Sequence, residues 1–253
     1  MEQGRTLVIG VGEVGGALAQ VLERSMPVLR LDLAPAQVDG PIGVMHICFP
    51  FVQPDGFKHA VTEYVKRFHP ALTIINSTVT PGTTRAIAQA CNAPIVFSPV
   101  RGKHYRMQSD LLRYDKFVAA TDAPAAQQAA EYFERAGMRT RRLQRPETLE
   151  LAKLAETSYF GLLIAFAQEL NRFADYVGGS YREAATFFEE VEFLPRWNYF
   201  PGFIGGHCVI PNLRLLAQVR QCDLFDAIVN SNDRRALELS AADDDKKRED
   251  GSL

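Results

Sequence analysis

The stretch Gly10-Val11-Gly12-Glu13-Val14-Gly15-Gly16 closes the apolar run Thr6–Ile9 and opens a helical stretch, Val14–Arg24. Glycines at that spacing permit a tight strand-to-helix turn. They also let backbone N–H groups approach a pyrophosphate at a helix N-terminus. Asp32 stands near the end of the next strand-like run, Val28–Leu33, 20 residues past Gly12. A carboxylate there suits a ribose diol and repels a 2′-phosphate, so NAD is the expected cofactor. Arg30, on the same strand face, pulls the other way. A glycine turn that only closes a βαβ unit is the competing reading. The candidate cofactor residues are Gly10, Val11, Gly12, Glu13, Val14, Gly15 and Asp32, with Pro50, Ser77 and Thr78 from the later loops.

The rest of the first 145 residues repeats this alternation. Further strand-like runs are Val44–Phe49, Leu72–Asn76, Ile95–Ser98, Phe117–Ala120 and Met138–Leu143, and helical pieces are Asp55–Phe68, Thr83–Cys91 and Ala125–Ala136. Nearly continuous apolar strands alternating with helices predict an α/β fold with a doubly wound parallel sheet, a Rossmann domain over 1–145. An all-helical domain follows over 146–241. It starts at Pro146, with Glu147 and Glu150 where a helix N-terminus favours negative charge. Leu151, Leu154, Leu162, Phe166, Leu170 and Phe173 recur at helical spacing along one long helix, which ends at Gly178-Gly179. Ser180 and Glu183 have the spacing of a capping box, and a final helical region runs from Leu213 to Leu239. Residues 242–253 read as a flexible tail.

Composition narrows the class. A chain of 253 residues that is 47% hydrophobic and 23% charged buries a core, and a net charge of −2 gives no reason to expect nucleic acid or an anionic membrane. No apolar run reaches membrane-spanning length and no signal peptide is visible, so a cytoplasmic protein is expected. Cys48, Cys91, Cys208 and Cys222 are scattered, which fits free thiols. His46 and Cys48 share a strand face and His207-Cys208 are adjacent, but neither makes a zinc pattern, and no metal is expected. Arg139, Arg141, Arg142 and Arg145 read as a solvated strand edge, with an anion contact as the sharper alternative. Trp197, Tyr199, Phe200 and Phe203 read as packing residues.

Three stretches go beyond a generic dinucleotide fold. They are Asn76-Ser77-Thr78-Val79-Thr80-Pro81-Gly82-Thr83-Thr84, the helix from Glu150 through Lys153 and Thr157 to Gln168-Glu169-Leu170, and Pro201-Gly202-Phe203-Ile204-Gly205-Gly206-His207-Cys208. A looser fourth is Ile228-Val229-Asn230-Ser231-Asn232-Asp233-Arg234. In this order they resemble the nucleotide-sugar dehydrogenases, the UDP-glucose and UDP-N-acetylmannosamine 6-dehydrogenase group. The resemblance implies a Rossmann domain, a helical domain through which subunits dimerise, and NAD-dependent oxidation of a sugar C6 alcohol by way of a cysteine adduct. It makes Cys208 the nucleophile, Lys153 the charge-stabilising lysine and Thr78 the threonine near the substrate carbon. A thiolate carries the aldehyde, an ammonium stabilises an oxyanion, and a base orients the hydrolytic water.

Departures matter as much. Val100 stands where the family has a glutamate, Thr157 where it has an asparagine, and Asn212 where it has an aspartate. Thr157 and Asn212 stay in the candidate catalytic set with Cys208, Lys153 and Thr78, and thioester hydrolysis is the step placed in doubt. Only residues 33 to 43 link Asp32 to the next strand, fewer than the family carries. The chain also ends soon after the central helices, so the resemblance carries the expectation of a truncated member without the C-terminal UDP-binding domain. The readings that follow are an NAD-dependent oxidoreductase acting on an alcohol of a sugar or sugar nucleotide, a β-hydroxyacid-dehydrogenase-like enzyme using Lys153 without Cys208, and a non-catalytic dinucleotide-binding scaffold. A homodimer through the helical domain is expected on burial grounds and by resemblance.

Overall fold

The computed structural model describes residues 4–33, 38–189, 191–194 and 199–249, with side chains as far as 242. The chain divides into two compact units, Met1–Lys153 and Leu154–Leu253. The first holds strands β1 (Arg5–Ile9), β2 (Val28–Leu31), β3 (Ile42–Ile47), β4 (Leu72–Ile75), β5 (Ile95–Phe97), β6 (Lys116–Ala120) and β7 (Thr140–Leu143). Helices α1 (Glu13–Leu22), α2 (Pro54–Phe68), α3 (Thr83–Cys91), α4 (Met107–Arg113) and α5 (Ala123–Arg135) lie between them, and α6 (Pro146–Tyr176) begins in this unit. The helical unit continues α6 and adds α7 (Tyr181–Glu189), α8 (Val209–Val219) and α9 (Asp223–Glu249).

The seven strands form one sheet in the order β2-β1-β3-β4-β5-β6-β7. Leu7, Val8, Leu72, Ile74, Ile75, Val96 and Phe97 are fully buried, as strands covered on both faces must be. Chain order reverses between β1 and β3, and ligands of open α/β sheets bind in the crevice at such a switch point. There the turn after β1 lies beside the end of β3, with Cys48 N–H bonded to the Ile9 carbonyl at 2.8 Å.

The sheet is parallel, as expected, at every pair but one, where β6 runs antiparallel to β5. The β5–β6 connection carries the short helix α4, which the apolar pattern had not marked as a helix. β7, with Arg141 and Arg142, pairs only with β6 and forms one edge.

Three smaller differences occur among the helices. The region expected from Leu213 to Leu239 is two helices, α8 and α9, divided after Val219. The α9 backbone stays helical to Glu249, past the start of the expected tail, in a run of Ala, Asp, Lys, Arg and Glu dominated by good helix formers. The first turns of α6 belong with the sheet unit, so the division falls at Lys153 rather than at 146.

In the helical unit, Gly178 (φ +68°) ends α6, and Gly179 N–H returns to the Ala174 carbonyl at 2.8 Å. The Ser180 hydroxyl accepts the Glu183 N–H at 3.3 Å, the first half of the expected capping box. Gly161 explains itself: a Cβ there would lie 2.8 Å from a Val209 methyl, so its lack of side chain lets α8 pack close to α6. Around that contact Ala165, Ile204, Val209, Leu213 and Ile228 form the unit's core. The expected apolar face of α6 is only partly covered within one chain. Leu154 is buried, whereas Phe166 is 49% and Phe173 67% exposed. Trp197 lies outside the described residues. Among the described residues no helix is long and apolar enough to cross a membrane.

The sheet core carries a chain of polar side chains. Asn76 Nδ2 donates to His46 Nδ1 at 3.1 Å, which leaves the proton of a neutral ring on Nε2, 3.0 Å from the Tyr132 hydroxyl. Tyr132 in turn meets Thr6 Oγ1 at 3.0 Å. Burial, and then the charge of Lys116, lowers the His46 pKa to about 3. The unfolded chain takes up this proton near 6.5, so stability present above that pH is lost as pH falls towards 3, by up to about 1.4 kcal/mol per pH unit. Denaturant unfolding across pH 7 to 3 is expected to show a shallower acid slope for His46→Gln than for the parent, and equal slopes would rule out His46 as the source.

Candidate functional site

The turn after β1 fits a dinucleotide. Gly10 has φ +85°, and a Cβ there would meet the Phe49 backbone nitrogen at 2.7 Å. At Gly15 a Cβ would lie 1.9 Å from the Gly10 carbonyl oxygen, so the helix and turn can touch only through glycine. Gly12, the N-cap of α1, faces open space, with nothing within 4 Å of an added Cβ. Two glycines are thus spent on close packing, and the third keeps clear the space before the first N–H groups of a helix. Asp32 follows β2, where one carboxylate oxygen accepts the Val11 N–H and the other the Leu33 N–H, both at 2.9 Å. Val14 packs on the sheet core, and Glu13 pairs with His104 at 2.6 Å. Ser77 donates to the Phe49 carbonyl at 2.6 Å, tying the loop after β4 to the one after β3. Pro50 lines a shallow cavity with Phe49, Val52, Gln53, Gly56 and Phe57. Thr78 is half-buried between Ser77 and the buried Val79.

The start of α6 is docked by a contact that sequence reading misassigned. Glu150, expected to serve its own helix N-terminus, caps a different one. Its carboxylate accepts the Gly82 N–H at 2.6 Å, the Thr84 N–H at 2.8 Å and the Thr84 hydroxyl at 2.6 Å, at the opening turn of α3. Glu150 is fully buried, and that burial raises its pKa, while the three hydrogen bonds favour the charged form. One turn back, Glu147 pairs with Arg85 of α3. Lys153, one turn beyond Glu150 and half-buried, is placed by this docking.

Lys116, at the first position of β6, has no sequence signal beyond a lysine beside an apolar run. Fully buried, its ammonium donates to the carbonyls of Ser98 at 2.7 Å and Pro99 at 3.1 Å and to Asn76 Oδ1 at 3.3 Å. It therefore joins the loop after β4 to the loop after β5. Burial pulls its pKa down to about 7, and the cations Lys153 and Arg101 add to this. Burial pushes the Cys48 thiol up to about 12, so it is an unreactive thiol. Val100, where a glutamate was expected by resemblance, is buried in the sheet core with Met107, Leu111 and Val118.

In the helical unit, Cys208 is half-buried at the N-cap of α8, where the helix end favours an anion. Its carbonyl accepts the first bond of the helix, from Asn212 N–H at 3.0 Å. Asn212 is buried and donates through Nδ2 to the Thr157 hydroxyl at 3.1 Å, so these two departures from the family pattern face each other. Thr157 donates in turn to the Leu154 carbonyl at 2.9 Å. The pair is neutral and joined by this hydrogen bond. Lys153 and Thr78 belong to the first unit, and Cys208, Thr157 and Asn212 to the second.

Residues 147–234 match the model of the UDP-glucose/GDP-mannose dehydrogenase family, central domain. A UDP-N-acetyl-D-mannosamine dehydrogenase of Methanocaldococcus jannaschii is 26% identical over 197 residues, 72% of this chain and 45% of the relative. The chain thus spans under half the length of the curated relatives it matches. Among solved structures, a UDP-D-ManNAc dehydrogenase from Pyrococcus horikoshii superposes with a TM-score of 0.83 at 18% identity, over 98% of this chain and 72% of that one. The 3-hydroxyisobutyrate dehydrogenase of Mycobacterium tuberculosis gives 0.68 at 14% identity, over 94% of both chains. These superpositions establish the α/β fold with its long central helix.

Removing the Glu150 carboxylate strands three donors at a helix start. Glu150→Ala is expected to lower unfolding free energy by roughly 2–4 kcal/mol, and Glu150→Gln, which keeps one acceptor oxygen, by less. Urea unfolding of both variants checks the size and the order.

Proposed function

We propose that this chain, a relative of the nucleotide-sugar dehydrogenases, is an NAD-dependent oxidoreductase acting on an alcohol of a sugar or sugar nucleotide. The observation that carries the reading is the turn after β1, with Gly12 open to a ligand and the Asp32 carboxylate against Val11 N–H at 2.9 Å. Asp32 is the group for the adenosine ribose hydroxyls, and Gly10, Val11, Gly12, Glu13, Val14 and Gly15 supply the pyrophosphate turn. Pro50, Ser77 and Thr78 would hold the nicotinamide end. When bound, NAD would supply the hydride acceptor for the alcohol carbon. The Lys153 ammonium stabilises charge developing on the substrate oxygen, and Thr78 hydrogen-bonds near the reacting carbon. Cys208, at a helix N-terminus, is the nucleophile that captures the resulting carbonyl.

Hydrolysis of the thioester that a second hydride transfer would leave on Cys208 is less well provided for, because water attack on a thioester needs a proton acceptor. Val100 is buried among apolar side chains, and Thr157 with Asn212 forms a neutral pair. The chain's own residues therefore favour release of the carbonyl from Cys208 after one two-electron oxidation, over a thioester they are poorly equipped to hydrolyse.

Calorimetric titration with NADH and NADPH is the test of the cofactor. NADH is expected to bind more tightly than NADPH, and Asp32→Ala to weaken NADH by roughly tenfold or more. Turnover of UDP-sugars is then expected to yield one NADH per substrate, with activity lost in Lys153→Ala. Two NADH per substrate would overturn the single-step reading. Full turnover in Cys208→Ala would favour the lysine-only chemistry, and no binding of either nucleotide the scaffold.

The exposed aromatic positions of α6, Tyr159, Phe160, Phe166, Phe173 and Tyr176, support a homodimer through this helix. Sedimentation at micromolar concentration is expected to give a dimer, and Phe166→Glu combined with Phe173→Glu a monomer. A parent protein that sediments as a monomer ends that reading.

A further inference from the structure

The segment that carries Cys208 is poorly suited to hold a shape by itself. Gly202, Gly205 and Gly206 give it wide backbone freedom, with Gly206 at φ +78°, and among the described residues from Tyr199 on no regular element begins before Val209. Its path is fixed by side chains from two helices of the same unit. Gln168 of α6, fully buried, donates through Nε2 to the Gly202 carbonyl at 2.7 Å and to Asn232 Oδ1 at 3.3 Å. Asn232 of α9, also buried, takes both backbone groups of Ile204: Oδ1 accepts its N–H at 2.7 Å, and Nδ2 donates to its carbonyl at 3.2 Å.

The orientation of each amide is set. Gln168 Oε1 accepts the Ser231 hydroxyl at 2.9 Å, so turning the amide over would put oxygen against the Gly202 carbonyl. Arg172 holds Ser231 in turn, through its hydroxyl and its carbonyl, both at 3.0 Å. The Ile204 side chain enters the same small core as Val209, the residue after Cys208. A buried polar network is costly unless every member is satisfied, and satisfied it admits one arrangement. Packing alone could be met by apolar side chains. Reading both the N–H and the C=O of Ile204 defines a backbone path.

We propose that Gln168 and Asn232 are positioning residues that fix the Gly202–Ile204 segment and thereby set Cys208 at the start of α8. Their effect on turnover rests on the reading of Cys208 as the nucleophile, whereas their effect on the position of the thiol does not.

The test compares Gln168→Leu, Asn232→Ala and Asn232→Asp with Asn171→Ala, which loses contacts to Asp175 and Arg235 on these helices without touching the loop. Alkylation by iodoacetamide is followed at Cys208 by mass spectrometry, with Cys222 as internal reference, beside NADH titration, thermal unfolding, kcat and KM. In Gln168→Leu and Asn232→Ala, Cys208 is expected to alkylate roughly tenfold faster as the half-buried thiol is released, while kcat falls and the KM for NAD is unchanged. Asn232→Asp keeps the acceptor for Ile204 N–H and is expected to fall between these and the parent; it carries the test if the alanine variant does not fold. Asn171→Ala is expected to match the parent. Folded variants with parental Cys208 alkylation overturn the proposal. Faster alkylation in a protein that shows no turnover supports the latch and removes the catalytic reading instead.

Discussion

The carboxylate of Glu150 accepts three hydrogen bonds, at 2.6 to 2.8 Å, from the first residues of α3. A helix start presents N–H groups with no partner of their own, and here the partner arrives from 66 to 68 residues further along the chain. That one anion fixes three things together. It ends the loop that carries Ser77 and Thr78, it holds the first turns of α6 within the sheet unit, and it sets their phase so that Lys153 follows one turn later. The burial that raises the Glu150 pKa makes this arrangement depend on those three donors, since a buried carboxylate without them would not stay charged.

A second set of buried polar contacts does comparable work across the sheet. Thr6, Tyr132, His46, Asn76 and Lys116 connect β1, α5, β3, the end of β4 and β6, and the chain ends on the carbonyls of Ser98 and Pro99. The loops after β4 and β5 are thus held to each other by the hydrogen bonds of one buried lysine. The helical unit repeats the tactic with neutral groups, where Gln168, Ser231 and Asn232 hold the glycine-rich approach to α8. In each case a loop without secondary structure receives its hydrogen bonds from side chains on rigid elements.

Much of this architecture was legible in the sequence, because local pattern determines it. The strands are nearly continuous apolar runs, the glycine turn stands between the first strand and the first helix, and Pro146 and Gly178 bracket α6. What was not legible depends on partners distant in sequence. The direction of β6 is set by how its connection packs, and an apolar run reads the same in either direction. Lys116 stands at the edge of such a run and looks solvated until the carbonyls of Ser98 and Pro99 are placed beside it. Glu150 sits where a carboxylate would also serve its own helix, so only the structure distinguishes the two roles. The Thr157–Asn212 contact could be suspected from two simultaneous departures from a family pattern, yet their 3.1 Å hydrogen bond needs the α6–α8 packing to be seen.

That packing is closest at Gly161, where the missing side chain leaves room for the methyl of Val209. Space shared in this way makes two positions behave as one in inheritance. A lineage that enlarges residue 161 must shrink residue 209 or part the helices. Because residue 209 directly follows Cys208, parting them would drag the thiol along. Neutral drift at an unremarkable glycine in the middle of a long helix is therefore restrained by a cysteine 47 positions away in the chain.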